Sequence, residues 1–347
     1  MNNLVRKDLQ TFNAYSSARD EAKQGIIFLN ANESPYKNKI NRYPEKQPDA
    51  LVKIISTLFN VKQNQLALSR GSDEGIDLLI RLFCDAGQDS IMLCTPTYGM
   101  YSIYAKLQGA KIVDVPLLKE KNYQLDVDSI LSTWNKNIKI IFLCSPNNPT
   151  GNLLNREDIL FLCKSLSEKC MIVVDEAYIE FANAESLASD INQFNNLVVL
   201  RTASKAYGMA GTRLGFLLAN EYLIQWILKI IAPYPLAAPV IEIAVDNFSK
   251  NNLIKIKKQI ACIQSERDRL RNSLQKIPFI KKIWPSDANF LLVKMDDSES
   301  IMKKCSNQGI ILRSMFDKKG LENCIRISIG TPEENSQLIN LLEEKNT

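Results

Sequence analysis

"KIIFLCSPNNPTGNLLNREDILFLCKSLSEKCMIVVDEAY", residues 139 to 178, opens with one continuous apolar run, Lys139 to Cys144, and closes on another, Met171 to Asp175. Runs of this length without polar alternation read as strands covered on both faces, the signature of a mostly parallel sheet. Between them, Asn155 is placed to cap a helix whose Ile159, Leu162, Cys163 and Leu166 form one apolar stripe. Strand, helix and strand in that order make a βαβ unit.

Outward from this unit the pattern repeats. "LVVLR" (197–201) reads as a third buried strand, and "DEGIDLLIRLF" (73–83) spaces Ile76, Leu79, Ile80 and Phe83 as a helix before the strand "SIMLC" (90–94). Past about residue 246 the character changes to a long charged helix, roughly 253 to 275, followed by the strands "NFLLVK", "GIILR" and "CIRISIG". A last helix follows, with Thr331 as cap, Pro332 in its first turn and Glu334 completing a capping box. The predicted fold is α/β: a large domain over 39–245 with helices flanking a mostly parallel sheet, and a smaller α+β domain from 1–38 and 246–347. The N-terminal segment has too little periodicity to fold alone and is expected to pack on the smaller domain or on a partner subunit.

The 347 residues carry 43 basic and 38 acidic side chains, a net charge of +5 without the dense basic block of a nucleic-acid footprint. "KIKK" (255–258), the richest run, reads as a solvated helix face. The eight cysteines include no CxxC, and Cys94 and Cys144 sit in apolar strands, so buried reduced thiols are expected rather than a disulfide framework. "MNNLVRKDLQ" has no apolar core, and the most apolar stretch, 222 to 245, is broken by three prolines and by Lys229 and Glu242. A signal peptide, a membrane span and a membrane partner are therefore not expected, and a cytoplasmic location is. There is no histidine at all. That excludes Ser-His-Asp hydrolysis, Cys-His proteolysis and His-ligated zinc, and no metal site is expected. Proton transfer near neutral pH then needs another base, and a lysine depressed by burial and neighbouring cations is one candidate.

Three strand ends present chemistry where open α/β sheets gather it, at the carboxyl edge. "MIVVDEAY" offers Asp175 and Tyr178, "SPNNPTG" offers Asn148, and "RTASKAYGMAGTRLGF" offers Thr202, Ser204, Lys205 and Arg213. Singly, Asp175 reads as a helix cap, "NNPTG" as a turn and Lys205 as a surface lysine. Together they supply what pyridoxal 5′-phosphate needs. Lys205 meets its aldehyde, Asp175 keeps its ring nitrogen protonated, and Asn148 and Tyr178 donate to its phenolic oxygen. Thr202, Ser204, Arg213 and the helix opened by Gly71, Ser72 and Asp73 suit its phosphate, and Tyr98 in "TPTYGMY" can cover its face.

With "NANESPY", "RYPEKQP", "GSDEGID", "TPTYGMY", "SPNNPTG", "VDEAYIEF", "SKAYGMAGTRLGF" and "IRISIGT" in order over roughly residues 14 to 331, the chain resembles the fold type I pyridoxal-phosphate aminotransferases, and among them the histidinol-phosphate aminotransferases. The resemblance implies a seven-stranded-type sheet, Lys205 as Schiff-base lysine and proton shuttle, and catalytic roles for Asp175 and Tyr178. It further implies a homodimer in which Tyr43 reaches the cofactor phosphate of the other subunit. Arg326, Arg313 and Tyr15 then hold the substrate phosphate, and Asn32 joins the substrate pocket; two arginines and a phenol suit a phosphate dianion. The implied partners are small molecules: histidinol phosphate and 2-oxoglutarate, giving imidazole-acetol phosphate and glutamate. An aromatic or broad-specificity aminotransferase, a threonine-phosphate decarboxylase and a non-catalytic cofactor-binding regulator stay open as alternatives.

Overall fold

The computed structural model describes residues 4–13 and 27–344. Seven strands form the larger sheet: β1 (Leu66–Arg70), β2 (Ser90–Leu93), β3 (Lys111–Asp114), β4 (Ile138–Cys144), β5 (Met171–Asp175), β6 (Leu197–Thr202) and β7 (Leu214–Leu218). Their order is β1-β7-β6-β5-β4-β2-β3, with only β7 antiparallel to its neighbours. The mostly parallel sheet read from the apolar runs is thus present. Alternation explains how those runs are covered: Ile172 and Val174 enter one apolar core, Met171 and Val173 the other. The Arg156–Ser165 helix buries Ile159, Leu162 and Cys163 on the first face, and Asn155 caps it by accepting from the Glu157 N–H at 2.8 Å. The Gly71–Phe83 helix buries Ile76, Leu79, Ile80 and Phe83 on the second.

The Lys250–Leu274 helix, about 37 Å long at 1.5 Å per residue, links this layer to a smaller antiparallel sheet, β10-β11-β9-β8. These strands are β8 (Ile280–Ile283), β9 (Phe290–Met295), β10 (Arg313–Ser314) and β11 (Cys324–Ser328). The helix buries Ile256 in the larger core and Leu270 and Leu274 in the smaller one. The capping box at Thr331 and Glu334 forms as read.

Two expectations are corrected. "GIILR" is not a strand until Arg313, because the Ile310 N–H closes the preceding helix on the Cys305 carbonyl at 2.9 Å while Ile310 and Leu312 pack on the smaller core. The first described residues pack on the larger unit, not the smaller. Leu4 and Val5 are buried in the same apolar core as Leu79, Leu82 and Phe83, and the Arg6 N–H donates to the Leu82 carbonyl at 3.0 Å. All eight cysteines are free thiols, and only Cys262 is exposed. Among the described residues no helix is long and apolar enough to cross a membrane, and no group of side chains could hold a metal ion.

Candidate active site

β4, β5 and β6 run parallel and end at one edge, where Cys144 pairs with Asp175 and Asp175 with Leu200. β5 ends on Asp175, the turn after β4 carries Asn148, and the loop after β6 carries Ser204 and Lys205. β7 runs the other way, so Arg213, just before its first residue, arrives at the same edge. These groups line a cavity of about 530 Å³ together with Ser72, Asp73, Tyr98, Tyr178 and Thr202; from the smaller sheet Arg313 and Arg326 close it.

One corner is shaped for an anion. The Gly71–Phe83 helix begins there with no side-chain cap, leaving first-turn N–H groups and the positive end of the helix dipole toward the cavity. Gly71 has φ 75°, which favours glycine, and a Cβ at this position would lie 2.8 Å from Arg213 Nη2, so the guanidinium packs closely against the helix start. Arg213, itself at φ 53°, holds Asp73 at 3.1 Å, and the Tyr98 hydroxyl donates to Asp73 at 3.2 Å.

A second corner holds Asp175, 3% exposed. It accepts from the Tyr101 hydroxyl at 2.8 Å and the Ala177 N–H at 3.1 Å. Burial raises its pKa to about 6 and outweighs these two donors. A carboxylate so placed is completed by a cation bearing an N–H, which is what a protonated pyridine is. Between the corners, Asn148 donates to the Tyr178 hydroxyl at 3.3 Å and accepts from Arg326 Nη1 at 2.6 Å. Burial raises the Tyr178 pKa, keeping the phenol a neutral donor. The donor set therefore fits pyridoxal 5′-phosphate: an anion corner, an acid for the ring nitrogen and two neutral donors between them.

Lys205 opens onto this cavity, its Nζ 5.7 Å from the Tyr178 ring centroid. Partial burial, then Arg326, lower its pKa, against the smaller opposing pull of Asp73. Arg313 and Arg326 sit directly opposite in the β10–β11 register, which sends both side chains to one face. Arg326 also lies over Phe290 at 5.3 Å.

Three candidates are not in this group. Tyr43, stacked on Tyr234 at 4.4 Å, and Asn32 line a separate groove with Ala237, Ala238 and Pro239. Tyr15 lies outside the described residues. Conversely, Tyr101 was not singled out by the sequence, although "TPTYGMY" contains it; a tyrosine in a helix reads as core. Met315 and Lys318 also line the cavity, from a loop without sequence pattern.

Residues 13–342 match the family model for class I and II aminotransferases. The chain is 45% identical over 343 residues to a histidinol-phosphate aminotransferase of Francisella philomiragia subsp. philomiragia, covering 98% of this chain and 94% of that protein. A solved histidinol-phosphate aminotransferase from Clostridium acetobutylicum superposes with a TM-score of 0.79 at 26% identity, covering 88% of this chain and 90% of the other. The enzyme of that name from Sinorhizobium meliloti, solved in complex with pyridoxal 5′-phosphate, has the same fold, with a TM-score of 0.79 at 23% identity, covering 87% and 82%. A family model over residues 13–342 and near-full-length similarity to a curated relative agree, and the chain belongs to the class I and II aminotransferase family.

Proposed function

We propose that the chain is a pyridoxal 5′-phosphate-dependent transaminase that moves the amino group of histidinol phosphate to 2-oxoglutarate. Imidazole-acetol phosphate and glutamate are the products. The observation that carries this reading is the facing pair Arg313 and Arg326 at the cavity, in a chain so close over its length to an enzyme of that name. Two forks at one site suit a phosphate dianion better than a lone carboxylate.

When bound, the cofactor supplies an aldehyde that captures an amine covalently and a ring that takes up the electron pair left at Cα. In this reading Arg213, Thr202, Ser204 and the amides of Ser72 and Asp73 hold the cofactor phosphate, and Tyr98 covers the ring. Asp175 holds a proton on the ring nitrogen, while Asn148 and Tyr178 donate to the phenolic oxygen. Lys205 Nζ accepts the proton that leaves substrate Cα, for which its lowered pKa raises the neutral fraction near neutral pH. Arg326 and Arg313 bind the substrate phosphate and orient the amine.

The same reading makes the chain a cytoplasmic homodimer, with a large domain over 39–245 and a smaller one over 246–347, Tyr15 and Asn32 serving the substrate pocket, and Tyr43 acting across the interface. The groove containing Tyr43 lies apart from its own chain's cavity, which favours action in trans.

The test is a donor and acceptor panel on purified protein loaded with pyridoxal 5′-phosphate. Glutamate formed from 2-oxoglutarate with histidinol phosphate as donor is expected. Turnover only with aromatic amino acids, or carbon dioxide released from phosphothreonine without transamination, would replace this reading with an alternative.

A further inference from the structure

We propose that Tyr101 is a positioning residue: its phenol turns and holds the Asp175 carboxylate so that the free lone pairs of that carboxylate face the cavity. This deepens the reading of Asp175 as partner of the cofactor ring and rests on it. Tyr101 is fully buried, in the first turn of the Met100–Gln108 helix, behind the cavity wall. Its ring stacks on Phe142 of β4, with centroids 4.8 Å apart and planes at 11°, and meets Tyr98 edge-on at 5.5 Å. Two rings therefore fix the phenol, and its hydroxyl donates to Asp175 Oδ2 at 2.8 Å, with the Cys144 thiol also beside it. Asp175 Oδ1 is held by the Ala177 N–H. With each oxygen tied once, the carboxylate cannot rotate about its χ2 without breaking a buried hydrogen bond.

Selectivity within the motif follows from the geometry. Tyr98 and Tyr101 are three residues apart, yet Tyr98 is half-buried at the cavity surface with its hydroxyl on Asp73, and Tyr101 is sealed behind it on Asp175. The hydroxyl favours the ionised acid, since a donor stabilises carboxylate over carboxylic acid. The other ionisable groups felt by Asp175 are Asp73 and Lys205, with Tyr98, Tyr178 and Cys144 around it. The hydrogen bonds to its carboxylate come from Tyr101 and the Ala177 N–H, not from these groups.

The experiment compares the wild-type chain with Tyr101→Phe, which keeps both ring contacts and removes only the hydroxyl. The Asp175 carboxyl is titrated by carbon-13 resonance in the cofactor-free protein, its signal assigned by loss in Asp175→Asn. Tyr101→Phe should raise its proton affinity by about tenfold or more and weaken binding of pyridoxal 5′-phosphate by a similar factor. Phe142→Leu, which loosens the same packing but keeps the hydroxyl, should move the carboxyl titration much less than Tyr101→Phe does. If Tyr101→Phe does not fold, a fluorotyrosine at position 101 keeps the shape and strengthens the donor, and should lower the proton affinity instead. An unchanged titration in Tyr101→Phe, or an unchanged one with fluorotyrosine, overturns the proposal. So does an equal shift in Phe142→Leu, which would make the effect one of packing. A wild-type chain that takes up no pyridoxal 5′-phosphate would sink the functional reading, while the carboxyl titration would still judge the link between Tyr101 and Asp175.

Discussion

Asp175 is kept where an isolated carboxylate is least comfortable. Its folded pKa of about 6 lies above its ordinary value of 3.8, and burial is the cause. Between those two pH values the folded chain holds more protons than the unfolded one. The stability contribution of this group is therefore fully present below about pH 4 and is lost as pH rises through 6, a change of roughly 3 kcal/mol. Asp175→Asn in the cofactor-free chain should thus melt higher than wild type at pH 8, the difference disappearing near pH 4, while binding of pyridoxal 5′-phosphate collapses. Calorimetry at the two pH values checks the first part, and equal melting at pH 8 would mean that the buried carboxylate is not a source of strain. Lys205 carries the complementary expectation: Lys205→Ala should lower kcat at least about 10³-fold, read in single turnover, and a chain that still turns over normally would remove it from the chemistry. Both residues were legible in the sequence only together: alone Asp175 reads as a cap and Lys205 as a surface lysine, but parallel strands end at one edge and gather them there. Tyr101 was not legible, because a buried phenol looks like core until its contact with Asp175 is located. Asn32 and Tyr43 are equally mute in sequence: their motif gives their family role, and folding alone brings neither to the cavity of the same chain.

At the level of elements, the anion corner depends on how closely β7 approaches the Gly71–Phe83 helix. A Cβ at Gly215 would stand 2.2 Å from the Gly71 carbonyl carbon and 2.3 Å from the Ser72 nitrogen, both backbone atoms that cannot turn aside. Gly215 also lies between Ser69 and Thr202 in the sheet, so β7 cannot retreat without breaking its ladders. Gly215→Ala should cost about 1–3 kcal/mol in overpacking, and weaken the cofactor about tenfold by shifting the first-turn amides. Gly211→Ala, where a Cβ would meet nothing within 4 Å, is the control expected to do neither. Urea unfolding with a cofactor titration reads both, and a Gly215→Ala protein matching wild type would show that the junction yields. The parallel strands could be read from the sequence because burial on both faces forces unbroken apolar runs. The reversed direction of β7 could not, since hydrogen-bonding partners leave no trace in hydrophobicity. "GIILR" misled for the related reason that its apolar residues serve a helix end and the smaller core, and apolar content alone does not distinguish those from a strand.

For the molecule as a whole, the cavity belongs to both units. The turn of "NNPTG" is clamped from the smaller one by the Asp287 N–H on the Gly151 carbonyl at 2.7 Å and by Arg326 on Asn148. Tyr43 contributes nothing to this enclosure within its own chain. It is half exposed beside Tyr234, in a groove that shares Ala237 with a second groove running to Arg213 and Asp73. If Tyr43 serves the site of a second copy, two defective chains must repair one another. In a hybrid of Lys205→Ala and Tyr43→Ala subunits, one site lacks both groups, while the other combines an intact Lys205 with the intact Tyr43 of its partner. Equal mixing under conditions that exchange subunits makes half of the dimers hybrid, so activity should rise to about a quarter of wild type in a two-fold symmetric assembly. A tyrosine acting on its own chain's cavity gives no such repair, because every site with a working lysine would then lack it. Activity that stays at the sum of the two parents after exchange, with subunit mixing verified by tags of different mass, would return Tyr43 to its own chain.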